Sequence, residues 1–234
     1  MLRGREGRHA STVRRLAPGE RVDLTDGAGT VAECVVTAAS PGELELAVKS
    51  RRTEPRPEPR IAVLQAIPKG DRGELAVELL TEVGAEVIVP WAAERCVAVW
   101  RGERAAKSRE RWRLAAVEAA KQSRRAWFPE VGEPADLAAA RQRVLSASLA
   151  ILLDPDAAES IADLRLPLSG EIVLVVGPEG GISPAEETAL AAAGATAARL
   201  GPTVLRASTA GAVAVGALLG RTARWASAGQ RPLS

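Results

Sequence analysis

Histidine is nearly missing from this chain: His9 is the only one in 234 residues, and the two cysteines, Cys34 and Cys96, stand far apart with no Cys-x-x-Cys pair. Ser-His-Asp catalysis, histidine-ligated metals and zinc clusters have too few residues to form, and a disulfide framework is equally unsupported. No metal site is expected, and both thiols read as buried and reduced. No run reaches the roughly 18–20 apolar residues of a membrane span, and the arginine-rich N-terminus lacks the apolar core of a signal peptide. A soluble, cytoplasmic protein is the expectation. Also missing are Gly-x-Gly-x-x-Gly and Gly-x-x-x-x-Gly-Lys-Ser/Thr, the residues on which dinucleotide and P-loop phosphate binding depend. Any chemistry falls to arginine, carboxylates, hydroxyls and the backbone.

What is present suffices for a core. Hydrophobic residues make up 47% of the chain, enough to fill one large or two small domains. The net charge of +2 conceals an asymmetry: six arginines lie between Arg3 and Arg21, nine basic residues between Arg101 and Arg125, and the balance turns acidic from Ala126 to Gly220. Clustered Lys and Arg in a nearly neutral protein suit a phosphate backbone, and equally suit a salt-bridged surface.

In chain order, residues 1 to about 50 read as short strands: Arg21–Leu24, Val31–Val36 and Leu44–Val48, with a hairpin turn at Asp26-Gly-Ala-Gly29. A small β-barrel is expected. Ser50 to Arg60, with three alternating prolines, reads as a stiff linker and puts the boundary between domains 1–58 and 59–234. Ile61–Ile67 then predicts a buried strand, Asp71 the cap of a helix with Leu75, Leu79, Leu80 and Val83 inward and Gly84 at its end, and Glu86–Val89 the next parallel strand. Arg104–Arg124 predicts a long amphipathic helix with Trp112 and alanines on its core side. A helix at Leu137–Leu145 and a strand at Leu149–Leu153 follow.

The stretch from Glu171 to Ala210 organises the chain. An apolar run, Glu171–Val176, passes through Gly177-Pro-Glu-Gly-Gly181 into a helix with Ser183 as N-cap, Pro184 at its first position and Glu186 closing a capping box. A second run, Thr196–Leu200, enters Gly201-Pro-Thr-Val-Leu-Arg206 and a helix starting at Ser208-Thr209, apolar on almost every face to about Trp225. Alternating strands and helices predict an α/β fold with a parallel sheet, and loops at its carboxyl ends predict a ligand pocket with Leu153 and Asp154-Pro155 as a third wall.

The pairing of Gly177-Pro-Glu-Gly-Gly181 with Leu200-Gly-Pro-x-Val-Leu-Arg206-x-Ser-Thr-Ala210 resembles the SPOUT class of methyltransferases. Arg8-His9, Val13-Arg-Arg-Leu16, Leu24-Thr-Asp-Gly-Ala-Gly29, Thr81-Glu-Val-Gly84, Glu94-Arg-Cys96 and Ala120-Lys-Gln-Ser-Arg-Arg125 extend the likeness over nearly the whole chain. The family is that of ribosomal RNA small subunit methyltransferase E. This resemblance implies a PUA-like N-terminal domain, a C-terminal trefoil knot, S-adenosyl-L-methionine as cofactor, a homodimer, and methylation of N3 of a uridine in small-subunit (16S) rRNA. It implies cofactor contacts from Leu153, Gly177, Pro178, Gly180, Gly181, Leu200, Gly201, Leu205, Ser208 and Thr209, and RNA contacts from Arg8, His9, Arg14, Arg15, Gln122, Arg124 and Arg125.

Arg206 is the expected catalytic cation, stabilising a uracil anion, or alternatively half of a buried ion pair with Glu179. Glu179 would orient Arg206 or help remove the proton. Thr203, Ala207-Ser208 and Leu79 depart from the family's usual arginine, Thr-Glu and lysine; Arg124, Arg221 and Arg224 are possible substitutes for the missing cations. The rival readings are a related enzyme acting on tRNA or a ribose 2′-hydroxyl, and a non-catalytic RNA-binding assembly protein.

Overall fold

The computed structural model describes residues 1–226, which divide into two compact units. The first comprises Met1–Arg56 together with Arg125–Trp127; the second comprises Pro57–Arg124 and the chain from Phe128 onward.

The first unit begins with a short helix α1 (Gly4–Arg8) that runs into a turn of π-helix, His9–Val13. Strands β1 (Arg21–Thr25), β2 (Thr30–Ser40) and β3 (Glu43–Thr53) form an antiparallel meander. Its ladders are open: β1 and β3 each pair with β2 and not with one another, so the expected barrel is not closed by strand pairing among the described residues. Ala10, Val36 and Leu44 make its small core. The Asp26 carboxylate shapes the β1–β2 turn, its Oδ1 accepting from the Ala28 N–H (2.7 Å) and the Thr30 N–H (3.0 Å). Residues Ser50–Thr53, expected in the linker, are strand instead, because Thr30 to Glu33 of β2 continue the ladder to Thr53 and satisfy that backbone.

Trp127 completes the unit. Its Nε1 donates to the Glu54 carbonyl at 3.0 Å, and the Arg56 guanidinium lies 5.3 Å from its ring centroid.

The second unit is a three-layer α/β structure. Its elements are β4 (Arg60–Ala66), α2 (Arg72–Val83), β5 (Val87–Trp91), α3 (Gly102–Gln122), β6 (Glu130–Val131), α4 (Leu137–Ser146), β7 (Leu149–Leu153), β8 (Glu171–Val176), α5 (Pro184–Ala192), β9 (Ala195–Ala198), α6 (Ala207–Leu219) and α7 (Ala223–Ala226). The six strands are all parallel, in the order β6-β5-β4-β8-β7-β9. Helices on both faces explain why the central strands are apolar throughout. Ile61 and Val63 of β4 face α2, α3 and α6, whereas Ala62, Leu64 and Ala66 face the layer with Ala140, Val144 and Leu190. Trp112 is core, as expected, and meets Trp100 edge-on with centroids 5.0 Å apart.

Several local readings change. Leu75 is exposed, because the buried stripe of α2 runs through Gly73, Ala76, Val77, Leu80 and Thr81. Asp71 stands at the N-cap of α2 without a side-chain cap bond. The last helix breaks at Gly220, so Ala223–Ala226 form a separate turn of helix.

Candidate functional site

Three neighbouring parallel strands, β8, β7 and β9, end side by side, and the loops after them close around one cavity of about 560 Å³. In parallel sheets the carboxyl ends gather the free backbone groups and helix N-termini, which is why such a position holds ligands. The two glycine loops follow β8 and β9, which are not adjacent. Here β7 lies between them and contributes Leu153, Asp154 and Pro155 as the expected third wall.

Gly177, Pro178, Glu179 and Gly181 line the cavity from the turn after β8, and Leu200, Gly201, Leu205 and Arg206 line it from the loop after β9. The turn is closed by the Gly181 N–H donating to the Pro178 carbonyl at 2.9 Å, with Gly181 at φ +74°, where a side chain would be strained. Gly177 is needed for a different reason: a Cβ there would stand 2.7 Å from Ile182 Cγ1. Behind the turn α5 begins as expected, with Ser183 and Glu186 closing a capping box and Pro184 in the first turn.

Arg206 is itself the N-cap of α6. Its carbonyl accepts the N–H groups of Thr209 (2.8 Å) and Ala210 (2.9 Å), while its exposed guanidinium has no hydrogen bond or ion pair among the described residues. The alternative of a buried Arg206–Glu179 pair is therefore not realised among them. The helix starts one residue earlier than expected, so Ser208 is buried in its first turn and Thr209 is half-buried; neither lines the cavity. Gly180 also lies outside the lining, with its carbonyl turned to a residue the sequence reading left without a role.

That residue is Arg95. It lines the cavity, and its Nη1 donates to the Gly180 carbonyl at 3.1 Å and to the Ile182 carbonyl at 3.4 Å. Its only sequence signal is membership in Glu94-Arg95-Cys96. Four carboxylates, Asp154, Asp156, Glu179 and Glu187, complete the charged lining with Arg95 and Arg206.

The expected RNA contacts are divided. Arg8, His9, Arg14 and Arg15 are exposed in the first unit, where Arg5, Arg8, His9, Thr12 and Val13 line a depression of about 400 Å³. Arg125 belongs to that unit, and exposed Gln122 and Arg124 to the second. The basic helix α3 is largely neutralised: Arg113 pairs with Glu110 (2.7 Å), Lys121 with Glu118 (2.9 Å), Arg109 with Glu133 (2.6 Å) and Arg111 with Glu74 (3.4 Å). Arg221 and Arg224 do not substitute for the missing cations. Arg221 donates to the Ile161 and Leu164 carbonyls, and Arg224 forms a nearly buried pair with Glu86. Thr203 lines the cavity and Leu79 is half-buried on α2.

Comparison with known proteins gives the same outline. An RNA methyltransferase domain matches residues 55–219 and an RNA methyltransferase PUA domain residues 2–49. The chain is 48% identical to ribosomal RNA small subunit methyltransferase E of Mycobacterium bovis, over 95% of this chain and 86% of that protein. To the protein of the same name from Bacillus subtilis it is 29% identical, over 93% and 88%. The crystal structure of the Neisseria gonorrhoeae enzyme of that name, bound to S-adenosyl methionine, superposes with a TM-score of 0.83 at 30% identity, covering 94% of this chain and 91% of that one.

Proposed function

We propose, for a chain that belongs to the family of ribosomal RNA small subunit methyltransferase E, S-adenosylmethionine-dependent methylation of N3 of a specific uridine in small-subunit (16S) ribosomal RNA. The observation that carries this reading is the cavity between the glycine turn and the Leu200–Arg206 loop, with the Arg206 guanidinium, unpaired among the described residues, on its wall.

The residues fit the cofactor. The volume, about 560 Å³, lies within the range of small-molecule sites. The N–H of Glu179, on the cavity lining, has no acceptor among the described residues and is available to a ligand. Asp154, Asp156, Glu179 and Glu187 suit a molecule carrying sulfonium and ammonium charge. Gly177, Pro178, Gly181, Leu200, Gly201 and Leu205 would hold the cofactor, with Leu153 on the third wall. When bound, it supplies an electrophilic methyl group on a positively charged sulfur.

The chain's own work is alignment and charge. An in-line displacement requires nucleophile, methyl carbon and leaving sulfur to be collinear, which the two loops enforce by confining both reactants to one cavity. As the new N–C bond forms, uracil N3 gives up its proton, and negative charge spreads onto the flanking carbonyl oxygens. Arg206 offers a planar, permanently charged fork to those oxygens, with no internal acceptor competing for it among the described residues. Glu179 on the same lining either orients that fork or takes the proton. Arg8, His9, Arg14, Arg15, Gln122, Arg124 and Arg125 would bind RNA phosphates and register the substrate.

Two finer points belong to the same proposal. A homodimer is supported by the apolar side of α6, where Val213 is 43% exposed and nearby Trp225 50%; sedimentation of the wild type tests it. A trefoil knot is supported by the path of the chain: β9 lies at the sheet edge, yet α6 returns to the centre, with Gly211 against Gln65, Leu80 and Val176. An experimental electron-density trace through residues 154–206 tests the threading.

The decisive experiment is transfer of labelled methyl groups to small ribosomal subunits and to naked RNAs, followed by mass spectrometry of the nucleosides. Label in 3-methyluridine is expected. Label in another nucleoside, or cofactor binding without transfer to these RNAs, would replace the target, and no cofactor binding at all would favour an assembly protein.

A further inference from the structure

The turn from Gly177 to Ile182 has one internal backbone hydrogen bond, Gly181 N–H to the Pro178 carbonyl. Its remaining rigidity comes from outside. Arg95 reaches it from the loop between β5 and α3, donating from Nη1 to the carbonyls of Gly180 (3.1 Å) and Ile182 (3.4 Å), 85 and 87 residues further along the chain. The approach is close: a Cβ at position 180 would stand 3.3 Å from the Arg95 Cβ. The loop carrying Arg95 is itself anchored, because the Glu94 N–H donates to Glu186 Oε1 at 2.7 Å, at the start of α5. Turn and arginine are thus tied to each other at two adjacent points, on the wall of the cavity.

We infer that Arg95 is a positioning residue for the cofactor turn: by holding the Gly180 and Ile182 carbonyls it fixes the peptide planes of the turn before a ligand arrives. This inference rests on the reading that the cavity takes S-adenosylmethionine. With those planes fixed, the Glu179 N–H keeps one orientation, and the ordering entropy of the turn is not lost on binding. Arginine suits the task, since a guanidinium serves two carbonyls from one rigid plane, whereas a lysine ammonium is a point donor on a flexible stem. Cofactor affinity, rather than the rate of transfer from bound cofactor, then depends on Arg95.

The test uses the full-length protein. S-adenosylmethionine affinity is measured by calorimetry, and amide hydrogen exchange of residues 177–186 is followed without ligand, for wild type, Arg95→Ala and Arg95→Lys. The alanine variant is expected to bind the cofactor about 5–10-fold more weakly. It should also exchange faster in 177–186 alone, keep its melting temperature and RNA affinity, and turn over at a near-normal kcat once saturated; lysine should restore only part of the affinity. Unchanged cofactor affinity and exchange in Arg95→Ala would overturn the inference. Weakened RNA binding with normal cofactor affinity would overturn it too, assigning Arg95 to the substrate. A wild-type protein that binds no S-adenosylmethionine would instead remove the underlying reading of the cavity.

Discussion

The Glu94 N–H donates to Glu186 Oε1 at 2.7 Å, while the other oxygen of the same carboxylate accepts the Ser183 N–H at 3.0 Å. One buried side chain therefore closes the capping box of α5 and ties it to the loop after β5. Glu186→Ala is expected to cost about 2–3 kcal/mol, the sum of a lost cap and a lost charge-assisted bond. Glu186→Gln should recover part of it, since an amide oxygen can still accept one of the two bonds. Urea unfolding of the three proteins measures this, and an alanine variant as stable as wild type would refute the dual role.

Arg206→Ala should retain cofactor affinity within about threefold while kcat falls by about 10²–10³, the cost of removing one donor to developing charge. The backbone cap of α6 survives the change because it uses the Arg206 carbonyl. Normal turnover by this variant would remove Arg206 from the mechanism. Glu179→Gln separates the two roles of Glu179: loss of the acidic limb of the pH–rate profile marks a proton acceptor, and a uniform drop marks an orienting group.

Gly29 sits at φ +98°, and a Cβ there would lie 2.5 Å from Trp127 Cζ2 and 2.9 Å from the Glu54 carbonyl oxygen. Gly29→Ala combines backbone strain with displacement of that tryptophan and should destabilise the first unit by about 2–4 kcal/mol. Trp127 fluorescence would report the loss. S-adenosylmethionine binding, proposed for the cavity of the second unit, should be unaffected.

The backbone N–H groups of Ala28, first, and Thr30 hold the Asp26 carboxyl below its ordinary value of 3.8. A depressed native pKa means that the stabilisation is fully present above 3.8 and is lost as pH falls below it through the folded-state value. Asp26→Asn should flatten the acid limb of first-unit unfolding below about pH 4; an unchanged acid limb would exclude Asp26 as its source. Burial pushes the Cys96 thiol above its ordinary value of 9.0, so its contribution is complete below that pH and lost above it. Cys96 should accordingly alkylate slowly in the folded protein at neutral pH.

Arg224 Nη2 stands 2.7 Å from Glu86 Oε1, with side chains only 13% and 5% exposed. Arg224→Ala leaves a buried carboxylate with fewer donors and should cost about 3–5 kcal/mol. Adding Glu86→Gln to that variant should return part of it. Additive losses in a double-mutant cycle would show the two to be uncoupled.

Features built from bonds spanning three or four residues were legible in the sequence. Ser183, Pro184 and Glu186 predicted the start of α5, and Asp26 to Gly29 the first hairpin, because each side chain meets its own neighbouring backbone. Apolar runs predicted the parallel strands, and the two glycine loops predicted the cavity wall. The start of α6 at Arg206 was not legible in this way, because no side chain caps it and its carbonyl only accepts the ordinary first helical bonds.

The sequence by itself determined the alternation of strands and helices, the capping of α5 and the loop residues available for chemistry, since these follow from local geometry and hydrophobic period. Tertiary structure alone decided which distant groups meet. Only the sheet order inserts β7 between β8 and β9, brings Arg95 to Gly180, and turns Arg221 and Arg224 from available cations into internal ties. The physical reason is that a guanidinium carries the same donors wherever it lies; which acceptor it meets is fixed by the packing of strands and helices far along the chain.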